Sequence, residues 1–201
     1  GHKIIIIIGD YTAMIGDPSG RSFIRPTISN EEIKHNYKTY IDQIFKIINY
    51  NKTEIHFNSE WLKKISFEDL LIFFKKITVS KLLERNDFEN RFKNKTPISI
   101  MEFLYPIIQG YDSVMIKSDI EIGGNDQLFN LMIGRALQKL VKQNKQIAIC
   151  MPLLKGLDGN YKMSKSYNNY ISFNDTSSNM FGKIMSISDD LMYHYYEIIE
   201  L

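Results

Sequence analysis

Ile4 to Ile8 is the stretch that most limits what this chain can become: five consecutive β-branched apolar residues that stop at Gly9-Asp10. Such a run is too short for a buried helix and has no polar alternation. It reads as a strand buried on both faces, the kind found inside a parallel sheet covered by helices. A strand of that type needs neighbours, so the reading expects an earlier strand in the same sheet. The chain has 201 residues, 44% of them hydrophobic and 24% charged, enough for one well-buried domain with an insertion and too apolar for disorder. Its net charge of +2 leaves any nucleic-acid partner to a local patch. Cys150, the single cysteine, excludes an internal disulfide framework and a cysteine-rich zinc site, and reads as an ordinary buried thiol. No apolar run reaches the length of a membrane span.

The turn after that strand is rich in chemistry. Gly9-Asp10-Tyr11-Thr12-Ala13-Met14-Ile15-Gly16-Asp17-Pro18-Ser19-Gly20-Arg21, with Arg25 beyond it, lies where open α/β sheets bind ligands, at a strand's carboxyl end. Glycines allow close backbone approach, Asp17 offers a carboxylate to an amine, and Arg21 and Arg25 offer forks to phosphate oxygens. Asp17-Pro18-Ser19-Gly20 is equally readable as a plain turn. The spacing fits neither a P-loop nor a dinucleotide fingerprint.

Helical periodicity follows from Ser29, with apolar residues at steps of three and four from Ile33 to Ile48, and Thr53 to Phe57 reads as a short strand. Trp61-Leu62 and then Phe67 to Ile77 suggest a second helix whose apolar surplus suits either the core or a partner subunit. The charged run Glu84 to Lys93 reads as a solvated helix face anchored by Phe88 and Phe92.

Next comes Phe103 to Asp112, where Tyr105, Gln109 and Asp112 stand at i, i+4 and i+7, on one face if the stretch is helical, with Pro106 admissible in the first turn. A phenol, a carboxamide and a carboxylate on an apolar helix are costly unless bonded, to one another or to a ligand. Asp119 to Ile122 then leads through Gly123-Gly124-Asn125-Asp126-Gln127 into a helix from Leu128 to Leu140. Strand, glycines and helix N-terminus again form a crevice, with Asp126 placed either for a ribose hydroxyl or as a helix cap. After an apolar strand from Gln146 to Met151 the chain reaches Leu157-Asp158-Gly159-Asn160-Tyr161-Lys162-Met163-Ser164-Lys165-Ser166-Tyr167-Asn168-Asn169. Two ammonium groups and two hydroxyls among turn-forming residues read as a mobile basic loop. It suits a polyphosphate whose charge moves during reaction, as well as plain solvation.

Taken together, Ile15-Gly16-Asp17-Pro18-Ser19-Gly20, Tyr105 with Gln109 and Asp112, Gly123 to Gln127, and Lys162-Met163-Ser164-Lys165-Ser166, in this order, resemble the bacterial-type tyrosyl-tRNA synthetases, a class I family. Met151 to Gly159 strengthens the likeness. The resemblance implies an α/β, Rossmann-like parallel sheet with a helical insertion. Residues 1-184 would form the catalytic domain without its first strand, with a dimer-forming insertion at about 66-100, and 185-201 would begin a helical anticodon-binding region. It also implies ATP-dependent activation of L-tyrosine and transfer to tRNA(Tyr) by a cytoplasmic or organellar homodimer. Magnesium would accompany ATP, and no protein-bound metal is implied.

By the same resemblance Asp17, Tyr105 and Gln109 hold the tyrosine ammonium, Asp112 takes its hydroxyl, and Gln127 lies near its carboxylate. Gly124 and Asp126 meet the ATP ribose, and Arg21, Arg25, Lys162, Met163, Lys165 and Ser166 the phosphates. Lys162, Lys165 and Gln127 stand closest to the chemistry. The family's first strand, its His-Ile-Gly-His type motif and a second hydroxyl-binding tyrosine would precede Gly1. The chain therefore reads as a fragment truncated at both ends, not expected to charge tRNA as it stands. Two other classes are a tryptophanyl homologue, disfavoured by Asp112 and Gln109, and an RNA-binding protein derived from a synthetase, disfavoured by the intact Lys162 to Ser166 motif.

Overall fold

The computed structural model describes residues 1–17 and 30–199. Two compact units emerge, Gly1–Cys150 and Met151–Leu201. In the first, strand β1 (Ile4–Ile8) runs parallel to β2 (Thr53–Phe57), with Ile4 opposite Thr53 and Ile8 opposite Phe57. The intervening helix α1 (Asn30–Ile44) makes this a β-α-β crossover. A second pair joins β3 (Ile120–Gly124) to β4 (Ile147–Met151), again across a helix, α7 (Leu128–Leu140). The α/β class expected from the isoleucine run is what forms.

Burial of that run differs from expectation. Only Ile8 is buried, Ile5 to Ile7 are half-buried and Ile4 is exposed. The reason is pairing: among the described residues β1 has a single sheet neighbour, β2. Cys150 is likewise half-buried rather than buried, on the face of β4 opposite the exposed Ile147 and Ile149.

Between the strand pairs lie short helices. The apolar stretch from Trp61 to Ile77 is not one helix but α2 (Ser59–Leu62) and α3 (Phe67–Phe74). Ser66 interrupts it by capping α3, accepting from the Asp69 N–H while the Asp69 carboxylate accepts from the Ser66 N–H. Next come α4 (Val79–Leu82) and α5 (Asn86–Lys93). Here the solvated-face reading fails in part: Arg85 and Arg91 are buried, at 7% and 4% exposure, whereas Phe92 is 65% exposed and only Phe88 anchors the helix. Buried guanidinium groups need partners, and both have them. Arg85 grips Asp87 through Nε and Nη2 at 2.6 and 2.7 Å and lies 4.5 Å from the Phe88 ring centre. Arg91 donates to both carboxylate oxygens of Glu102, at 2.6 and 3.1 Å.

Glu102 also fixes where the next helix starts. It accepts from the Ser99 N–H, and this capping box opens α6 (Ile100–Ile116). Pro106 is therefore in the helix interior and not in its first turn, where it leaves one carbonyl without its usual donor. Helices α6 and α7 form the most extensive contact of the unit. They cross at Gly110 and Gly134: a Cβ on Gly110 would stand 2.9 Å from the Gly134 nitrogen, and one on Gly134 would stand 2.7 Å from the Ser113 hydroxyl. Around the crossing, Phe73, Ile107, Val114, Ile133 and Leu137 form the apolar core.

Among its described residues the second unit carries two α-helices, α8 (Ser177–Met185) and α9 (Asp189–Ile199). Leu191 and Tyr195 of α9 are buried, and the Tyr195 hydroxyl donates to the Lys155 carbonyl at 2.8 Å. Among the described residues, no helix is long and apolar enough to cross a membrane.

Candidate functional site

The residues singled out in the sequence fall in two of the polar networks on α6 and the strand ends beside it. In the first, Asp17, just beyond β1, accepts from Gln127 Nε2 at 3.0 Å. Gln127 Oε1 accepts from Asn130 Nδ2 at 3.0 Å and Gln109 Nε2 at 3.4 Å, and Asn130 Nδ2 also donates to Gln109 Oε1 at 2.9 Å. Three residues singled out in the sequence, Asp17, Gln109 and Gln127, thus converge although 110 positions separate the first from the last. Asn130 joins them unannounced: it is buried one turn into α7 and is itself approached by Arg85 at 3.4 Å. One carboxylate ringed by carboxamides, at the carboxyl ends of β1 and β3, suits a ligand carrying a cationic amine beside polar groups.

Asp112 centres the second network. Its Oδ1 accepts from Trp61 Nε1 at 2.7 Å and its Oδ2 from Asn58 Nδ2 at 3.3 Å. Asn58 is fully buried and is fixed in turn, donating to the Thr12 hydroxyl at 3.1 Å and accepting from the Tyr11 N–H at 2.9 Å. Trp61 and Asn58 escaped the sequence reading because they lie 51 and 54 positions from Asp112, beyond any local pattern. Tyr105, at i−4 from Gln109 on the same helix, is half-buried.

Burial pushes the Asp112 carboxyl up to about 7, against the two donors, which favour its charged form, and with the like charges of Glu121 and Asp10 adding to the rise. An unfolded aspartate releases its proton near 3.8. Between these values the unfolded chain binds fewer protons than the folded one, so this group's contribution to stability falls as pH rises from about 4 to about 7 and is level outside that window. The expected result is that Asp112→Asn gains stability relative to the unsubstituted chain between pH 4 and pH 7, measured as the difference of their urea midpoints. A pH-independent difference would show that the folded carboxyl is already charged at pH 5.

Gly124, the last residue of β3, leads into a tight turn, Asn125–Gln127, and α7 follows. Gln127 stands at the entry of α7 without a side-chain capping bond, and Asp126, one residue earlier, is half-buried in the turn. Arg21, Arg25 and Pro18-Ser19-Gly20 lie outside the described residues, as does Ser29. Among the described residues, no cluster of three metal-binding side chains is present.

The second unit holds the lysine loop. Lys162, Lys165 and Ser166 are exposed and Met163 is half-buried. The turn-forming residues that suggested mobility are hydrogen-bonded back onto the loop. Asp158 accepts from the Asn160 and Tyr161 N–H groups at 2.8 and 2.9 Å, and from Asn169 Nδ2 at 2.6 Å. These bonds hold its carboxyl below the usual range. Lys155 and Lys162 form an antiparallel bridge, and Met163 N–H donates to the Leu154 carbonyl at 2.7 Å. A 3-10 turn, Lys165–Tyr167, is capped by the Ser164 hydroxyl. The loop thus presents both ammonium groups from a braced frame.

Comparison with known proteins bears on this geometry. Residues 1–200 match the family model described as tRNA synthetases class I (W and Y). A tyrosine–tRNA ligase of Thermotoga maritima is 53% identical over 199 residues, which are 99% of this chain and 50% of that protein. One from Carboxydothermus hydrogenoformans is 57% identical over 199 residues, 99% of this chain and 48% of its own. The chain spans about half the length of the curated relatives it matches. Among solved structures, a C-terminally truncated mitochondrial tyrosyl-tRNA synthetase of Aspergillus nidulans superposes with a TM-score of 0.74 at 21% identity, over 98% of this chain and 62% of that one. Tyrosyl-tRNA synthetase from Archaeoglobus fulgidus, complexed with L-tyrosine, gives 0.68 at 24% identity over 91% and 55%. At such identities the superpositions speak for the fold, and the family match speaks for descent: the chain belongs to the class I tRNA synthetases of the tryptophan and tyrosine group.

Proposed function

We propose that this chain is the tyrosine-activating part of a tyrosine–tRNA ligase, joining L-tyrosine to ATP as tyrosyl-adenylate before transfer to tRNA(Tyr). The observation that carries it is Asp112, a buried carboxylate on an apolar helix, aimed by Trp61 and Asn58. A phenol donor is the substrate feature that such a group discriminates, and an indole does not supply it in the same place. Asp17, Tyr105 and Gln109 would take the ammonium, Gln127 the carboxylate, and Gly124 with Asp126 the ribose. Relatives named tyrosine–tRNA ligase at 53% and 57% identity support this reading.

The chemistry asks little more of the protein. An oxygen of the tyrosine carboxylate forms a bond to the α-phosphorus while the bond from that phosphorus to the bridging oxygen breaks, and pyrophosphate leaves with the electron pair. The nucleophile is already ionised, so no general base is needed, only alignment and neutralisation of charge on the leaving group. Lys162, Lys165, Met163 and Ser166, with Arg21 and Arg25, would meet those phosphates, with magnesium travelling as part of the ATP complex. Residues 1-184 would form the catalytic domain and 185-201 open the anticodon-binding region. The segment at about 66-100 would pair two copies into a cytoplasmic homodimer. Exposed Phe67, Ile72, Val79, Phe92 and Ile100 support that last assignment.

Tyrosine-dependent exchange of pyrophosphate into ATP by the natural-length protein tests the reading. Exchange with tyrosine and none with tryptophan is expected. Exchange that ignores the amino acid, or prefers tryptophan, would overturn it.

A further inference from the structure

Tyr161 and Tyr167 stack face to face, their ring centres 5.1 Å apart and their planes 23° apart. Both are more than half exposed, at 61% and 54%. They bracket Lys162-Met163-Ser164-Lys165-Ser166, Tyr161 at the end of the arm that bridges Lys155 and Tyr167 at the close of the 3-10 turn. The loop is therefore fastened twice. On its inner side Asn169, 5% exposed, accepts from the Ser164 N–H at 2.9 Å and donates to the Lys162 carbonyl at 3.2 Å. Gly156 leaves room for it, since a Cβ there would stand 2.0 Å from Asn169 Nδ2. On the outer side the ring stack joins the two ends of the lysine segment. The loop hydrogen bonds named above use main-chain atoms and the side chains of Asp158, Ser164 and Asn169, and neither ring.

We propose that Tyr161 and Tyr167 are positioning residues for the lysine pair: their stack fixes the span between the two ends of the segment and so the separation at which Lys162 and Lys165 present their ammonium groups. The proposal rests on the reading of Lys162 and Lys165 as pyrophosphate-binding groups. Because an ammonium follows charge only as well as its backbone is placed, loss of the stack should leave the lysines intact but scattered over more arrangements. The effect is then confined to the step in which charge builds on the leaving group. The inner brace stays, so the loop keeps its course and the loss is moderate, about threefold to tenfold, the range that one aromatic pair supplies.

Two measurements decide it. In tyrosine-dependent exchange by the natural-length protein, Tyr161→Leu and Tyr167→Leu should each lower kcat about threefold to tenfold with the KM for tyrosine unmoved. The phenylalanine variants should keep wild-type rates, and the double leucine variant should be no worse than either single one, as expected of a shared contact. Limited trypsin digestion of the chain should show faster cleavage after Lys162 and Lys165 in the leucine variants, with cleavage elsewhere unchanged. Wild-type kcat and wild-type cleavage in the leucine variants, or additive losses in the double variant, would overturn the proposal. Absence of exchange in the unsubstituted protein would instead count against the tyrosine-activating function, and the trypsin comparison would then decide the brace alone.

Discussion

Asp112→Ala is expected to collapse the preference for tyrosine over phenylalanine. A site that hydrogen-bonds a substrate hydroxyl rejects the analogue lacking it, because the site's own polar groups are then stranded; for tyrosyl-tRNA synthetases themselves the factor is on the order of 10⁵, a figure belonging to this enzyme type and carried over as such. Here the stranded groups can be named. Without a phenol, the Asp112 carboxylate keeps Trp61 and Asn58 but loses its outward partner. With alanine in its place the site no longer distinguishes the two rings by a carboxylate, and the ratio of their kcat/KM values should fall by about 10²-fold or more. The same change strands the buried Trp61 N–H and one of the two Asn58 amide N–H groups, the other staying on Thr12, at a cost of about 1–3 kcal/mol for each stranded group, so the variant must first be shown folded by its thermal melt. A folded Asp112→Ala protein with an unchanged ratio would remove Asp112 from the hydroxyl site.

Lys165→Ala should act on rate and not on recognition. Its ammonium stands on the exposed 3-10 turn of the second unit, where a ground-state amino acid has no use for it. On the proposed function, charge on the departing pyrophosphate does. Removing one preorganised charge partner from a developing anion costs ~10²–10³-fold in kcat, and the dissociation constant for tyrosine should stay put. Pre-steady-state adenylate formation separates the two quantities. A variant that binds tyrosine weakly and reacts at the normal rate would place Lys165 in the amino-acid pocket instead.

Much of this was legible in the residues, for identifiable reasons. The bounds of β1 and β2 follow from short strand-forming runs ended by Gly9 and Asn58, and those of α7 from the glycine break at Gly123-Gly124 and the helical periodicity after it, signals carried within a few positions. Asp17, Gln109 and Gln127 were legible as a set through the pattern of a family. What escaped depends on which side chains pair once the chain is folded. Burial of Arg85 and Arg91 depends on carboxylates at Asp87 and Glu102 that make a guanidinium tolerable inside. The break before α3 was written in Ser66 and Asp69 but masked by the apolar residues around it. Pro106 was misplaced because the capping box that starts α6 lies seven residues earlier, at Ser99. Asn58 and Trp61 come from the β2–α2 junction and meet Asp112 only once the crossover is formed.

The Gly110–Gly134 crossing has a genetic corollary. Every amino acid that can replace glycine adds a Cβ, which at Gly110 would meet the backbone nitrogen of Gly134 at 2.9 Å and at Gly134 would displace the hydrogen-bonded Ser113 hydroxyl at 2.7 Å. Helix α6 carries Gln109 and Asp112, and α7 carries Asn130, so forcing the helices apart disturbs both networks at once. On the proposed function, a missense change at either codon therefore converts a packing fault into a substrate-binding fault. Alleles at these two positions should group phenotypically with pocket mutants, although neither glycine has a side chain with which to touch a ligand.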